Sequence, residues 1–454
     1  MKKFLNISLL ALVAISAFSL SSCKNEVDAI FDEDAVTRLD KAKVEYTNIL
    51  TDKGGKWQLE YYANSEEQGY IYLMTFDKNG SVTIAGNNKW INYVQSGSIN
   101  KPAYGSAVSM WEVIADNGPV LSFNTYNKFF HIFADPYDIP SLGGATSDTD
   151  VNENGYGHEG DYEFDIMKYV ESPTGDTLFV TGKKYNLDMI MTRVAQDVDD
   201  EVYMNEVVAM ADSFFNAKVP RVYINLPNGI RWVVADGSTS ILNIWREGAA
   251  SISTAEKHNV IITHDGLSFM NPLTIDGYTI QNFIRQADGS LLCRDDNQTT
   301  MTADELSKVF SNIRLYWRSE LKDVGGRYAD LVTQIGDELK SYNKSTLQYA
   351  QIIYNRDSTR YEISFNIKKG SVKYNPTYYM KMDVVNDTQV KFNVAPTGDK
   401  MGETYATKCP SIRAVVDALG SGTLNLSANS LLAPVYMKTT EANNANNYIT
   451  WVLQ

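Results

Sequence analysis

Tyr70-Ile71-Tyr72-Leu73-Met74-Thr75-Phe76, then Asp77-Lys78-Asn79-Gly80, then Ser81-Val82-Thr83-Ile84-Ala85 is the stretch that decides the fold. Two runs rich in aromatic and β-branched residues flank four residues that favour a tight reversal, and glycine supplies the positive φ that such turns need. The pattern predicts a β-hairpin. Outward from it the same pattern recurs. Pro227-Asn228-Gly229 joins an apolar run at 222–226 to another at 230–234, and Asp265-Gly266 and Asp288-Gly289 mark two more turns. Tyr361, Ile363, Phe365 and Ile367 alternate with Glu362, Ser364, Asn366 and Lys368. That period of two puts one strand face in a core and the other in water. Val390, Phe392 and Val394 repeat it, and the 28 tyrosines suit strands.

Three segments carry the helical period instead. At 33–51, Ala35, Leu39, Ala42, Tyr46 and Ile49 form one apolar stripe. Asp32, Glu33 and Asp34 lie at its start, where the helix dipole favours negative charge, and Gly54-Gly55 stops it. At 199–217, Tyr203, Val207, Met210 and Phe214 share a face behind Asp199, Asp200 and Glu201. A third helix is predicted from Thr302, where Thr302-Ala303-Asp304-Glu305 reads as a capping box ahead of Leu306, Phe310, Ile313 and Trp317. Gly325-Gly326 breaks it, and Tyr328, Leu331, Ile335 and Leu339 resume the stripe. The expected fold is therefore mainly β (α+β), with antiparallel barrel- or sandwich-like units each preceded by an amphipathic helix. The helix-then-strands pattern divides the chain at 33–196 and 197–454. The second region reads either as one domain or as two lobes, 197–300 and 301–454.

The N-terminus reads as an address. Lys2 and Lys3 precede an apolar run from Phe4 to Leu20, and Leu20-Ser21-Ser22-Cys23 follows. A short positive segment, an apolar stretch below spanning length and small residues at the cut site describe a signal peptide at 1–22. The last four residues resemble the bacterial lipobox, which implies cleavage before Cys23 and lipid on its sulfur. Several acyl chains on one residue make a stable anchor. Lys24-Asn25-Glu26-Val27-Asp28, within an acidic tether at 23–32, resembles the surface-export signal of Bacteroidota lipoproteins. A plain polar tether is the alternative. Beyond the leader, 39 basic residues face 55 acidic ones, a net charge of −16. Such a surface disfavours nucleic acid, whose phosphates need a basic partner.

Candidate chemistry is sparse. His131, His158, His258 and His264 form no metal-protease pair, and there is no nucleophile elbow, phosphate loop or paired-cysteine metal motif. His131, between Phe130 and Ile132, reads as a structural strand residue. No enzyme activity is expected on this evidence. Asp150, Asn152 and Asn154, with Gly155 sixth and Asp161 twelfth, resemble a calcium loop, although Gly157 at the eighth position and the lack of flanking helices depart from it. A flexible acidic loop is the other reading, under which there is no cofactor. Cys293 and Cys409 read either as a disulfide or as two small buried hydrophobes. Trp57, Trp90, Trp111, Trp232, Trp245, Trp317 and Trp451 read as core, with a sugar-stacking platform as the alternative. Asp176-Thr177-Leu178 and Asp357-Ser358-Thr359 resemble a short O-glycosylation motif, with plain turns as the alternative.

Several blocks occur in a recognisable order. Phe31-Asp32-Glu33 comes first, then Gly55-Lys56-Trp57-Gln58-Leu59-Glu60-Tyr61-Tyr62, Leu73 to Gly80, and Gly118 to Lys128. Phe133-Ala134-Asp135-Pro136, Gly160 to Phe164, Thr181-Gly182-Lys183-Lys184, and Gly266 to Phe269 with Pro272-Leu273 follow. The set resembles the Bacteroidota lipoproteins grouped as domain-of-unknown-function family 4302, to about residue 295. The resemblance implies an envelope lipoprotein and suggests a locus of the starch-utilisation type, in which such a lipoprotein in the outer membrane accompanies an outer-membrane importer. It assigns no catalytic residue. The expected function is surface-exposed ligand capture, of a glycan or a peptide, within a nutrient-uptake system. A structural or adhesive envelope protein is the alternative, and a hydrolase with scattered carboxylates the remoter one.

Overall fold

The computed structural model describes residues 33–135, 138–140, 157–173, 175–215, 218–219, 221–236, 241–249 and 255–454. It is 44% strand and 23% helix, with antiparallel sheets curled into half-barrels and a nearly closed barrel. Helix α1 (Ala35–Thr51) leads β1 (Lys56–Tyr61), β2 (Tyr70–Phe76) and β3 (Ser81–Asn88). Helix α2 (Lys89–Ser96) comes next, followed by β4 (Ala103–Met110), β5 (Glu112–Ala115), β6 (Pro119–Ser122), β7 (Glu163–Val170), β8 (Thr177–Gly182) and β9 (Asp188–Arg193). Helix α3 (Asp200–Phe215) leads β10 (Val222–Asn225), β11 (Arg231–Asp236), β12 (Leu242–Arg246), β13 (Glu256–His258), β14 (Val260–Ile262), β15 (Gly266–Ile275), β16 (Tyr278–Arg285), β17 (Leu291–Cys293) and β18 (Thr300–Ala303).

The first sheet runs β4-β3-β2-β1-β9-β8-β7-β6-β5 and the second β13-β12-β11-β10-β18-β17-β16-β15-β14. The two orders are the same. Each is a nine-stranded meander whose first strand pairs with its last and whose ladder opens between the fourth and fifth. The third sheet has a different plan. Helix α4 (Leu306–Phe310) precedes β19 (Trp317–Ser319) and β20 (Val324–Gly325), and helix α5 (Arg327–Asn343) follows. Then come β21 (Thr346–Asn355), β22 (Arg360–Lys369), β23 (Val372–Tyr374), β24 (Thr377–Asn386) and β25 (Gln389–Gly398). After helices α6 (Lys400–Lys408) and α7 (Pro410–Gly420), β26 (Thr423–Ala428), β27 (Tyr436–Glu441) and β28 (Asn444–Leu453) complete it. Here β19 pairs with both β21 and β28, so the ladder closes.

Local chemistry explains these elements. In the opening hairpin, Phe76 pairs with Val82 and Gly80 takes a φ of 85°. Helix α1 is capped by Asp34, whose carboxylate accepts from the Thr37 amide at 2.7 Å. Its far end is held from outside. Trp57 Nε1 donates to Leu50 O, and Arg193 donates to Ile49 O and Asp52 O. These bonds satisfy carbonyls that the helix end leaves orphaned. Gly55 follows at a φ of 65°, where any Cβ would sit 2.2 Å from Phe76 O.

Two expectations need correction, and one open alternative is decided. The long helix from Thr302 does not form. Thr302 is paired with Tyr223 in the sheet, so it cannot serve as an N-cap, and only Leu306–Phe310 turns helical. The carboxylates of the supposed box bind cations instead: Arg231 reaches both Asp304 and Glu305, and Lys308 reaches Glu305 at 2.7 Å. Trp317 belongs to β19. His131 lies in a 3₁₀ turn, His131–Phe133, not a strand. Cys293 and Cys409 are free thiols, buried in two different core clusters, so the disulfide reading falls. Helices α2, α6 and α7 were not anticipated.

The first core is dense with rings. Tyr61, Tyr72, Phe130, Phe133 and Phe164 are each at most 1% exposed and pack edge-on or tilted on one another. Each contributes roughly 2–3 kcal/mol by burial. This barrel is filled, so space for a ligand has to be found outside it. Helix α3 spans two cores: Tyr203, Met204 and Val207 join the first cluster, Met210 and Phe214 the second. Asn259 Nδ2 donates to Ser65 O and Glu67 O, and the Gly69 amide to Val260 O, tying the first two sheets along a seam.

Candidate functional site

Alternation along β1 turns Trp57, Leu59 and Tyr61 into the first core and Gln58 and Glu60 to the opposite face. That face would be solvated if the unit stood alone. It is covered instead, because β15, β16 and α3 lie against it. Between them runs a groove. One part, about 520 Å³, is lined by Gln58, Glu60, Tyr203, His264, Asp265, Arg294 and neighbours. A second part, about 370 Å³, is lined by Glu60, Tyr62, Phe179, Thr181, Asp188, Gln281 and neighbours. Glu60, Ile190, Ser268 and Asn282 line both.

Glu60 is the unusual residue. It is 9% exposed, and it sits in the ladder directly opposite Ile71 and Ile190. Among the described residues its carboxyl has no hydrogen-bond or ion-pair partner. Burial, and then the neighbouring Asp265 charge, push its pKa from 4.5 to about 7, with Arg294 pulling the other way. Gln58 is 6% exposed. Its Oε1 accepts from the Tyr203 hydroxyl, which leaves the amide NH₂ without an acceptor. His264 stacks on Tyr203 with ring centroids 4.3 Å apart, and its Nδ1 has no hydrogen bond. Asp265 accepts from Thr263 Oγ1 at 2.9 Å and lies 3.5 Å from Arg294. Glu60, the Gln58 amide and His264 Nδ1 bring polar groups without a hydrogen-bond partner to one groove, and a ligand there would satisfy them.

The candidate residues from sequence lie elsewhere. Cys23 falls outside the described residues, as do Asp150, Asn152 and Asn154. Asp161 is described and buried. Its two carboxylate oxygens accept from the Lys184 and Tyr185 amides at 2.9 and 3.0 Å, fastening the turn from β8 to β9. Burial still raises its pKa. Among the described residues no group of three or more His, Cys, Asp or Glu side chains could hold a metal. Trp57, Trp90, Trp111, Trp317 and Trp451 are core residues. Trp232 and Trp245 are half-buried, but Trp232 faces Arg246 and Trp245 faces Val233 in the ladder, so they occupy opposite faces and make no platform. Asp176 is 3% exposed and held by Lys53 and Arg193. Asp357, Ser358 and Thr359 form the tip of the β21–β22 hairpin.

Two histidines prove structural. His131 Nδ1 accepts from the Asn127 amide while Nε2 meets Phe123 O. His158 is fully buried, with Nδ1 2.7 Å from Glu67 and Nε2 2.7 Å from Pro140 O. Sequence reading missed Gln58 and Glu60 as site residues. Tyr62, on the same face of the chain, was the available signal that this face is covered.

The class defined so far is a β-rich protein of meander barrels with a polar groove at a sheet–sheet seam. A family model described as Domain of unknown function (DUF4302) matches residues 27–287, more than half the chain, and the protein belongs to that family. The match spans the first sheet and the second as far as β16. No curated protein matches the chain. No helix among the described residues is long and apolar enough to cross a membrane.

Proposed function

We propose that this protein is a Bacteroidota surface lipoprotein, held in the outer membrane by lipid on Cys23, that captures a ligand for a nutrient-uptake system beside an outer-membrane importer. The leader, Leu20-Ser21-Ser22-Cys23 and the Lys24–Asp28 signal support the anchoring. The observation that carries ligand capture is Glu60, buried without a partner and open to both parts of the groove. Its neighbour Gln58 adds a free donor on the same strand face.

Protease shaving of intact cells tests display: the protein should be cut, and full protection would overturn the surface reading. Radiolabelled palmitate should enter the wild type and not Cys23→Ser. Saturation binding to candidate oligomers, compared with Glu60→Gln, tests the groove. Unchanged affinity in that variant would move the site elsewhere.

A second reading has one observation behind it. Glu60 and Asp265 place two carboxyls in one cavity, and Glu60 at about 7 has the character of a general acid. Turnover of aryl glycosides, lost in Glu60→Gln, would establish hydrolysis; absence of turnover with binding intact would leave capture alone.

A further inference from the structure

We infer that the groove's ligand carries a protonated amine or guanidinium that seats on Glu60, with an oxygen acceptor further along that seats on Gln58. The inference rests on the binding reading of the groove and names the ligand chemistry.

The charges around Glu60 decide the sign. From β9 come Asp188 and Arg193, from the turn before β15 His264 and Asp265, and from beyond β17 Arg294. Neither cation pairs with Glu60, although Arg294 acts on it at longer range. Arg193 is spent on Asp176 at 2.7 Å and on the helix-end carbonyls. Arg294 leans to Asp265 and its side chain is 59% exposed. Lys56, on the same strand, is tied to Asp200 at 2.8 Å. The remaining field is negative. Residues 1–300 hold 23 Lys and Arg against 40 Asp and Glu, a net of −17, whereas residues 301–454 hold 18 against 15, a net of +3. The groove therefore lies in the acidic part of the chain.

A neutral hydroxyl would satisfy one lone pair of Glu60 and leave its charge uncompensated. An anion would add to the repulsion. A cation answers both, through a charge-assisted hydrogen bond to a carboxyl that is itself buried. Gln58 adds spacing. Residues two apart on a strand are roughly 7 Å apart, so the ligand's acceptor lies about that far from its cation. Phe179, 39% exposed, and Tyr62 give apolar ring surface along which an alkyl stem can lie.

The test is calorimetric titration of the full chain with pentalysine and with a glucosamine pentamer, each beside its fully N-acetylated form. These arms separate peptide amines from amino sugars. At least one amine pentamer should bind, its acetylated form should not, and Glu60→Gln should weaken binding about ten- to hundred-fold. Asp357→Asn, on a distant hairpin, should leave affinity unchanged; equal weakening there would mean diffuse charge attraction and overturn the inference. For pentalysine, whose amines stay charged throughout, affinity should rise about tenfold per pH unit up to pH 7 and level above it, because the cation binds the ionised carboxyl. Acetylated pentamers binding as well as the amines, with Glu60→Gln still weakening them, would overturn the cationic ligand and keep the groove. Binding by none of the four would overturn both.

Discussion

Replacing Glu60 by Gln keeps the shape of a buried side chain and removes its charge. The magnitude follows from the pKa. In the folded protein the carboxyl titrates at about 7 against an ordinary value of 4.5. A raised carboxylate pKa means that the fold prefers the protonated form. Relative to the unfolded chain, the carboxyl's stability contribution is intact below 4.5, falls as pH rises between 4.5 and 7, and is fully lost above. The gap corresponds to about 3 kcal/mol. The Glu60→Gln variant lacks this loss. Urea unfolding followed by tryptophan fluorescence should show wild type and variant nearly equal at pH 4.5. At pH 8 the variant should be more stable by up to about 3 kcal/mol. Trp57, three residues away on the same strand, lies in the first core and reports its unfolding. A difference independent of pH, or a variant less stable at pH 8, would refute the claim that this carboxyl is buried without a partner. Saturating cationic ligand should shrink the difference, because the ion pair offsets the cost of the buried charge.

Arg193→Ala should destabilise the protein by about 2–3 kcal/mol, since it leaves Asp176 with Lys53 as its one cation among the described residues and uncovers Trp57, over whose ring Arg193 lies at 4.1 Å. Burial works to raise the Asp176 pKa, but the Lys53 and Arg193 bonds outweigh it and hold the carboxyl at about 2. Its stabilising contribution is therefore present above 3.8 and lost as pH falls toward 2, and Asp176→Asn should flatten the acid limb of stability in a melting series. Burial pushes the thiols of Cys293 and Cys409 up to about 11, so Ellman's reagent should react slowly with the native protein and count both after denaturation. Gly55→Ala should cost several kcal/mol, because its Cβ would meet Phe76 O; unchanged urea midpoints would refute that close approach.

Helices α1 and α3 were legible because half-burial writes its period into the residues, and the hairpin at 70–85, whose first strand is buried on both faces, because its turn residues stand between two runs of strand formers. Thr302 misled because a capping box and a strand end share the same letters, and the strand partner at Tyr223 lies 79 residues upstream. Helix α2 was hidden because it is short and its deciding contact is local: the Asn88 side chain caps the amides of both Trp90 and Ile91. The groove was not legible at all. Gln58 and Glu60 alternate with core residues as any solvated face does. Only the second sheet, folded from residues far downstream, makes that face an interior.

Because β1 pairs with β9, the order in which the chain emerges during synthesis matters to its folding. Trp57 faces Arg193 in the ladder, so the first strand keeps one bare edge until 136 more residues have followed it. The second sheet repeats the arrangement with β10 and β18. Each meander can grow strand by strand, but its seam closes last, and the cap on the leading helix waits for that closure. Folding of each unit is therefore gated by its final strand, and a chain halted before residue 193 would present an open edge to its neighbours.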